Sequence, residues 1–134
     1  MEEVGRQLGE REAAHVESLA GARRMAEQLH GVVVGAIDAF HAAAAQAGSP
    51  HLAIEMDSPR LDDKHVRSVE FGLRRGRHRA IVTVKAKGEV TFVGPFRQGK
   101  TEGPCQTFPF DADQEIARSL GDFLAGFLEE AATP

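Results

Sequence analysis

The chain has no tryptophan, no tyrosine and a single cysteine in 134 residues. Its eight phenylalanines therefore carry all of the aromatic packing. With Cys105 alone, an internal disulfide is excluded, and so is a metal site built from several cysteines. Cys105 reads as a small apolar side chain rather than a nucleophile. Long hydrophobic runs are missing as well. The longest apolar stretch lies around Val32 to Ile37, far short of a membrane span. Met1 to Arg24 carries Glu2, Glu3, Arg6, Glu10, Arg11, Glu12 and Glu17, so it lacks the apolar centre of a secretory signal. A cytoplasmic location without a membrane partner is the expectation. The sequence has no Gly-x-Ser-x-Gly elbow and no Cys–His pair at a telling spacing, which leaves hydrolase chemistry without support. An activity as an enzyme is not expected, and neither is a cofactor.

The length suits one domain with one core, and 42% hydrophobic with 27% charged residues is ordinary for a globular protein. Ala22, Ala26, Leu29, Val33, Ala36, Phe40, Ala43 and Ala47 recur at alternating steps of four and three, a continuous stripe on a helix. Val4, Leu8, His15 and Leu19 extend that stripe upstream past polar residues. Gly21 is the place where a bend or break is expected. Gly48 and the Ser49-Pro50 pair end the helix. Residues 25–48 thus form a helix, and residues 1–24 form a helical arm that overhangs the rest. A continuous helix from Glu2 to Ala47 would be roughly 68 Å long. A seven-residue strand spans only roughly 23 Å.

Residues 51–110 read as an antiparallel meander of four to five strands. A two-residue turn at Gly76-Arg77, with Gly first as a type II′ turn prefers, places Leu73 opposite Ala80, Phe71 opposite Val82 and Val69 opposite Val84. All six then share one side of the sheet, and a one-residue slip would scramble them. A three-residue loop of Lys87, Gly88 and Glu89 would next pair Ala86 with Val90, Val84 with Phe92 and Thr83 with Val93. Leu52, Ile54 and Met56 alternate as an earlier strand. Cys105 to Phe110 forms a last one, with Pro104 and Pro109 suited to an edge. Asp111 is the expected N-cap, with Gln114 as its capping-box partner, of a helix over 112–132. Ile116, Leu120, Phe123, Leu124, Phe127, Leu128 and Ala131 make its apolar face. The fold class is therefore α+β. A long N-terminal helix precedes the meander, and an amphipathic C-terminal helix packs on one sheet face.

Gly94 to Thr101 reads GPFRQGKT, a letter-for-letter phosphate-loop pattern. Such a loop works because a parallel strand passes through the glycines straight into a helix whose N-terminus holds the phosphates. Here Gly103, Pro104 and Pro109 follow, and they oppose a helix. No nucleotide site is expected.

Glu12-x-x-His15, Glu27-x-x-His30 and Asp38-x-x-His41 each place a carboxylate and an imidazole on one helix face. His30 and His41 are roughly 16 Å apart along that helix, too far to share an ion. The pairs read as solvated ion-pair partners, and metal binding by Glu27/His30 or Asp38/His41 would need a second helix, as across a dimer.

The chain carries −4 overall, but residues 58 to 87 hold nine Lys and Arg against three Asp and Glu, a local +6 that leaves −10 elsewhere. Arg74, Arg75, Arg77, Arg79, Lys85 and Lys87 form the candidate anion or partner site. Arg74 and Arg79 face each other across the hairpin, which costs stability. A cationic tip suits an acidic protein surface, including that of a second copy of this chain. It suits nucleic acid less, because the outer sheet face has no aromatics for base stacking. A third possibility is a small-ligand pocket beneath the Ala-rich helix, where Gly35, Ala36, Ala39 and Ala43 leave room. A homodimeric interaction module is the leading expectation, since an overhanging helix with an apolar stripe needs a partner.

Overall fold

The computed structural model describes residues 1–62, 67–100 and 103–133. In chain order the elements are α1 (Glu2–Gln46), β1 (Glu55–Met56), β2 (Arg60–Leu61), β3 (Ser68–Arg75), β4 (His78–Lys85), β5 (Glu89–Arg97), β6 (Cys105–Pro109) and α2 (Asp113–Ala132). The sheet is antiparallel, in the order β1-β3-β4-β5-β6, with β2 beside β1 on the same edge of β3. The architecture is α+β, and both helices join one core. Among the described residues no helix is long and apolar enough to cross a membrane.

The β3–β4 hairpin has the register that its alternation dictates. Val69 faces Val84, Phe71 faces Val82 and Leu73 faces Ala80, and all six are buried. Gly76 takes a φ of +58° at the turn, a conformation in which a side chain would be strained. The β4–β5 pairing slides by two residues from the expected one. The loop is Ala86, Lys87 and Gly88, so that Lys85 faces Glu89, Val84 faces Val90 and Val82 faces Phe92. Thr83 accordingly meets Thr91, and Val93 meets Ile81 instead of Thr83. A two-residue slide keeps every side chain on its own face. The observed register wins by setting a cation opposite a carboxylate and by stacking Phe92 on the Phe71–Val82 layer.

The inner sheet face is covered by α1 over β3 and β4, and by α2 over β4 and β5. Phe92 stacks on Phe123 of α2 with ring centroids 5.3 Å apart. On α2, Ile116, Leu120, Phe123, Leu124, Phe127 and Ala131 are buried, and Leu128 packs against them. Asp111 does not cap this helix. The cap position is Ala112, whose N–H closes a turn onto Pro109, and no side chain caps the end. Asp113 and Glu115 complement the helix dipole from within the first turn instead.

Helix α1 runs unbroken through Gly21 for 45 residues. It ends in a Schellman arrangement: Gly48 N–H donates to Ala45 and Ser49 N–H donates to Ala44. Its buried positions are Ala22, Ala26, Leu29, Val33 and Ile37, while Ala43 and Ala47 are exposed. The face is thus turned toward Ile37, which buries more apolar area than either alanine could. Gly35, Ala39 and Ala43 are exposed too, so they do not roof a pocket against the sheet.

Leu52, Ile54 and Met56 give less strand than expected. The first edge is split into β1 and β2, two residues each, around Ser58 and Pro59. Proline donates no ladder hydrogen bond, and the strand is interrupted there.

Candidate functional site

Six cations were grouped by sequence, and the structure divides them. Arg74, Arg75, Arg77 and Arg79 lie at the Gly76 end of the sheet, whereas Lys85 and Lys87 lie at the other, roughly 20 Å along β4. Most are committed within the chain. Arg74 Nε donates to Glu55 Oε2 at 2.8 Å, and its Nη1 donates to Asp57 Oδ1 at 2.6 Å. Arg75 Nη1 donates to the carbonyl oxygen of Ala131, among the last carbonyls of α2, which have no partner inside the helix. Arg79 Nη1 donates to the carbonyls of Gly76 and His78, and its Nη2 to Gln98 Oε1. Lys85 and Lys87 share Glu89 at 3.9 and 3.5 Å. The repulsion expected between Arg74 and Arg79 is therefore relieved by acceptors on either side. Arg77, Arg97 and Lys100 are exposed at the same end, and they make no ion pair among the described residues.

Asp57 is the centre of this edge. It takes Arg74 on one oxygen and Arg60 Nη1 on the other, at 3.0 Å. Partial burial raises its pKa, but the hydrogen bonds and charges of Arg60 and Arg74 together outweigh burial and hold it below 3.8. The same contact, through the hydrogen bond and charge of Asp57, pushes Arg74 upward.

The glycine-rich stretch is part of the sheet. β5 continues through Gly94 to Arg97, and a turn at Gln98 and Gly99 follows. Gly94 N–H donates to Pro104, Gln98 N–H to Arg77 and Lys100 N–H to Arg97. Those three amides are engaged inside the chain. Gly94 has a φ of +117°, and a Cβ there would lie 3.0 Å from the Arg79 carbonyl oxygen. Its glycine thus answers a close backbone approach at the bulge between β4 and β5. Thr101 lies outside the described residues.

Two of the histidines are not solvated ion-pair partners. His30 Nε2 lies 2.9 Å from the Asp57 carbonyl oxygen, with its ring edge-on to Phe71. The Ile54 N–H donates to His41 Nε2 at 2.9 Å. Both imidazoles tie α1 to the segment that leads into the sheet edge. Nothing in the i, i+3 spacing announces such bonds, because their partners are backbone groups far along the chain. No cluster of three potential metal ligands occurs among the described residues. Cys105 is exposed on β6, contrary to a buried apolar role.

Residues 2–21 of α1 contribute nothing to the buried core. They extend as an arm roughly 30 Å long. Val4, Leu8, His15 and Leu19 share the angular face of Ala22, Ala26, Leu29, Val33 and Ile37. Its outer part is bare, with Val4 48% exposed and Leu8 55%, while His15 and Leu19 are half-buried. Where the arm leaves the sheet it walls an open cavity of about 730 Å³. Arg11, Ala14 and His15 line one side, and Arg67, Lys85 and Lys87 line the other, with Asp62 beside them.

No protein-family model matches this chain, and neither a curated protein nor a solved structure does.

Proposed function

We propose that this chain is a non-enzymatic protein-interaction module. It acts as a homodimer and offers the cationic end of its sheet to an acidic protein surface. The observation that carries the reading is the apolar face of α1, which continues past the sheet onto exposed Val4 and Leu8 with no cover. In proteins most of a helix's stability comes from packing of its apolar face, which the outer arm lacks. A second copy supplies that packing. His30 and His41 are spent on holding the fold together, which favours binding over chemistry. At the tip, the contact falls to Arg77, Arg97 and Lys100, because Arg74, Arg75 and Arg79 are engaged internally.

Light scattering over a micromolar concentration series tests the first part. A dimer is the expected mass, and a strict monomer at high micromolar concentration overturns the reading. For the tip, Arg77→Glu with Arg97→Glu should abolish binding to an acidic protein while leaving the dimer intact. Salt-sensitive DNA retention lost in the same variant would transfer the site to a polyanion instead.

A further inference from the structure

The face of α1 that is apolar over the sheet changes character as the helix leaves it. Ala22, Ala26 and Leu29 are buried there. Upstream, Ser18, His15 and Arg11 continue that face at helical spacing. All three line the cavity at the root of the arm. A surface built only to pack would stay apolar at these positions. From the sheet, Arg67, Lys85 and Lys87 line the same space.

The charges there do not balance. Four Lys and Arg line the cavity, against Asp62 alone. Glu89 reaches both lysines from β5, so four cations meet two carboxylates, in a chain whose overall charge is −4. Arg74 is paired with Asp57, and Arg6 with Glu3 and Glu10. Arg11 and Arg67, by contrast, have no ion pair and no side-chain hydrogen bond among the described residues. The backbone beneath the cations is fixed. Ser68 pairs with Lys85 in the β3–β4 ladder, and the Ala86 N–H donates to the Arg67 carbonyl oxygen at 2.7 Å. Arg67 and Lys85 are thus anchored side by side before anything binds, which lowers the cost of binding.

We propose that this cavity binds a small organic phosphate monoester. Such a group carries close to two negative charges near neutral pH, which matches the excess of cations. Its oxygens accept charge-assisted hydrogen bonds from guanidinium and ammonium groups together. Ser18 and Thr83 add hydroxyl donors. The cavity, at about 730 Å³, has the size of a ligand pocket and far exceeds a bare phosphate. Ala14 and Ala86 put carbon on its walls, which suits the organic part of the ligand. The site lies roughly 20 Å along β4 from the Arg77 end, and it needs no second copy of the chain.

Nitrogen-15 amide spectra of the full chain, titrated with phenyl phosphate, test the proposal. Saturable shifts are expected at Arg67, Ser68, Lys85 and Ala86 and along residues 11–18, with a submillimolar dissociation constant. Inorganic phosphate should bind at the same amides roughly tenfold more weakly, since it leaves the carbon walls uncovered. Arg11→Ala and Arg67→Ala should each weaken phenyl phosphate roughly tenfold, because each removes a charge-assisted hydrogen bond. Both residues are exposed, so the folded spectrum should persist in the variants. Arg77→Glu with Arg97→Glu, well beyond a Debye length away, should leave the affinity unchanged. No saturable shift with either probe overturns the proposal. So does an equal loss in the variant at the Arg77 end, which marks attraction to any cation. Inorganic phosphate or benzoate binding as tightly as phenyl phosphate overturns the assignment to a monoester.

Discussion

Arg74 Nη1 lies 2.6 Å from Asp57 Oδ1, so a cation that crowds a like charge across the hairpin is held by a carboxylate on the neighbouring edge. The pair joins the split edge strand to β3. Asp57→Asn removes the charge that Arg60 and Arg74 share. Both arginines are substantially exposed, so the loss at pH 7 should be about 1 kcal/mol. The pH dependence has a fixed sign. The folded-state pKa of Asp57 is depressed, so its contribution is complete above the ordinary value of 3.8 and is lost as pH falls through the folded value. Urea midpoints of the two proteins should differ at neutral pH and converge below pH 3.8.

His41 accepts the Ile54 N–H, and Ile54 is buried. His41→Ala leaves that amide without its partner and should cost about 1–3 kcal/mol. Chemical denaturation measures the loss. Hydrogen exchange should show the Ile54 amide among the sites most accelerated.

Gly94→Ala should lower stability by about 1–3 kcal/mol, because the added carbon meets the backbone of Arg79 and Ala80 in a left-handed conformation. Gly121→Ala is the counterpart. It sits in α2 with nothing within 4 Å of the new carbon and should raise stability by about 0.5–1 kcal/mol. Thermal or urea unfolding of the pair should give shifts of opposite sign.

Cys105 should react with a thiol reagent in the folded protein at a rate near that of a free thiol, since its side chain is exposed. Cys105→Ser should change stability by less than about 0.5 kcal/mol. Reaction only after denaturation would contradict its placement.

The sequence displays the β3–β4 pairing because two constraints coincide there. Alternation decides which side chains point inward, and Gly76 marks where the chain must turn. For β4 and β5 only the alternation operates. It is blind to a slide of two residues, so the face of Phe92 was legible and its neighbour Val82 was not. The apolar faces of α1 and α2 could be read from spacing, with α1 turned slightly toward Ile37. His30 and His41 defeated sequence reasoning because their partners are a main-chain carbonyl and amide, which carry no letter. The cationic cluster also dissolved for a reason that the sequence hides. Glu55, Asp57, Glu89 and the end of α2 come beside those arginines and lysines only once the sheet has formed.

Both rims of the sheet are poor templates for further strands. On one side β1 and β2 each offer two residues, separated by Pro59, and on the other β6 is a five-residue strand that follows Pro104 and ends in Pro109. Ribbon-by-ribbon growth, the ordinary hazard of a half-open sheet, has little to seize on at either side.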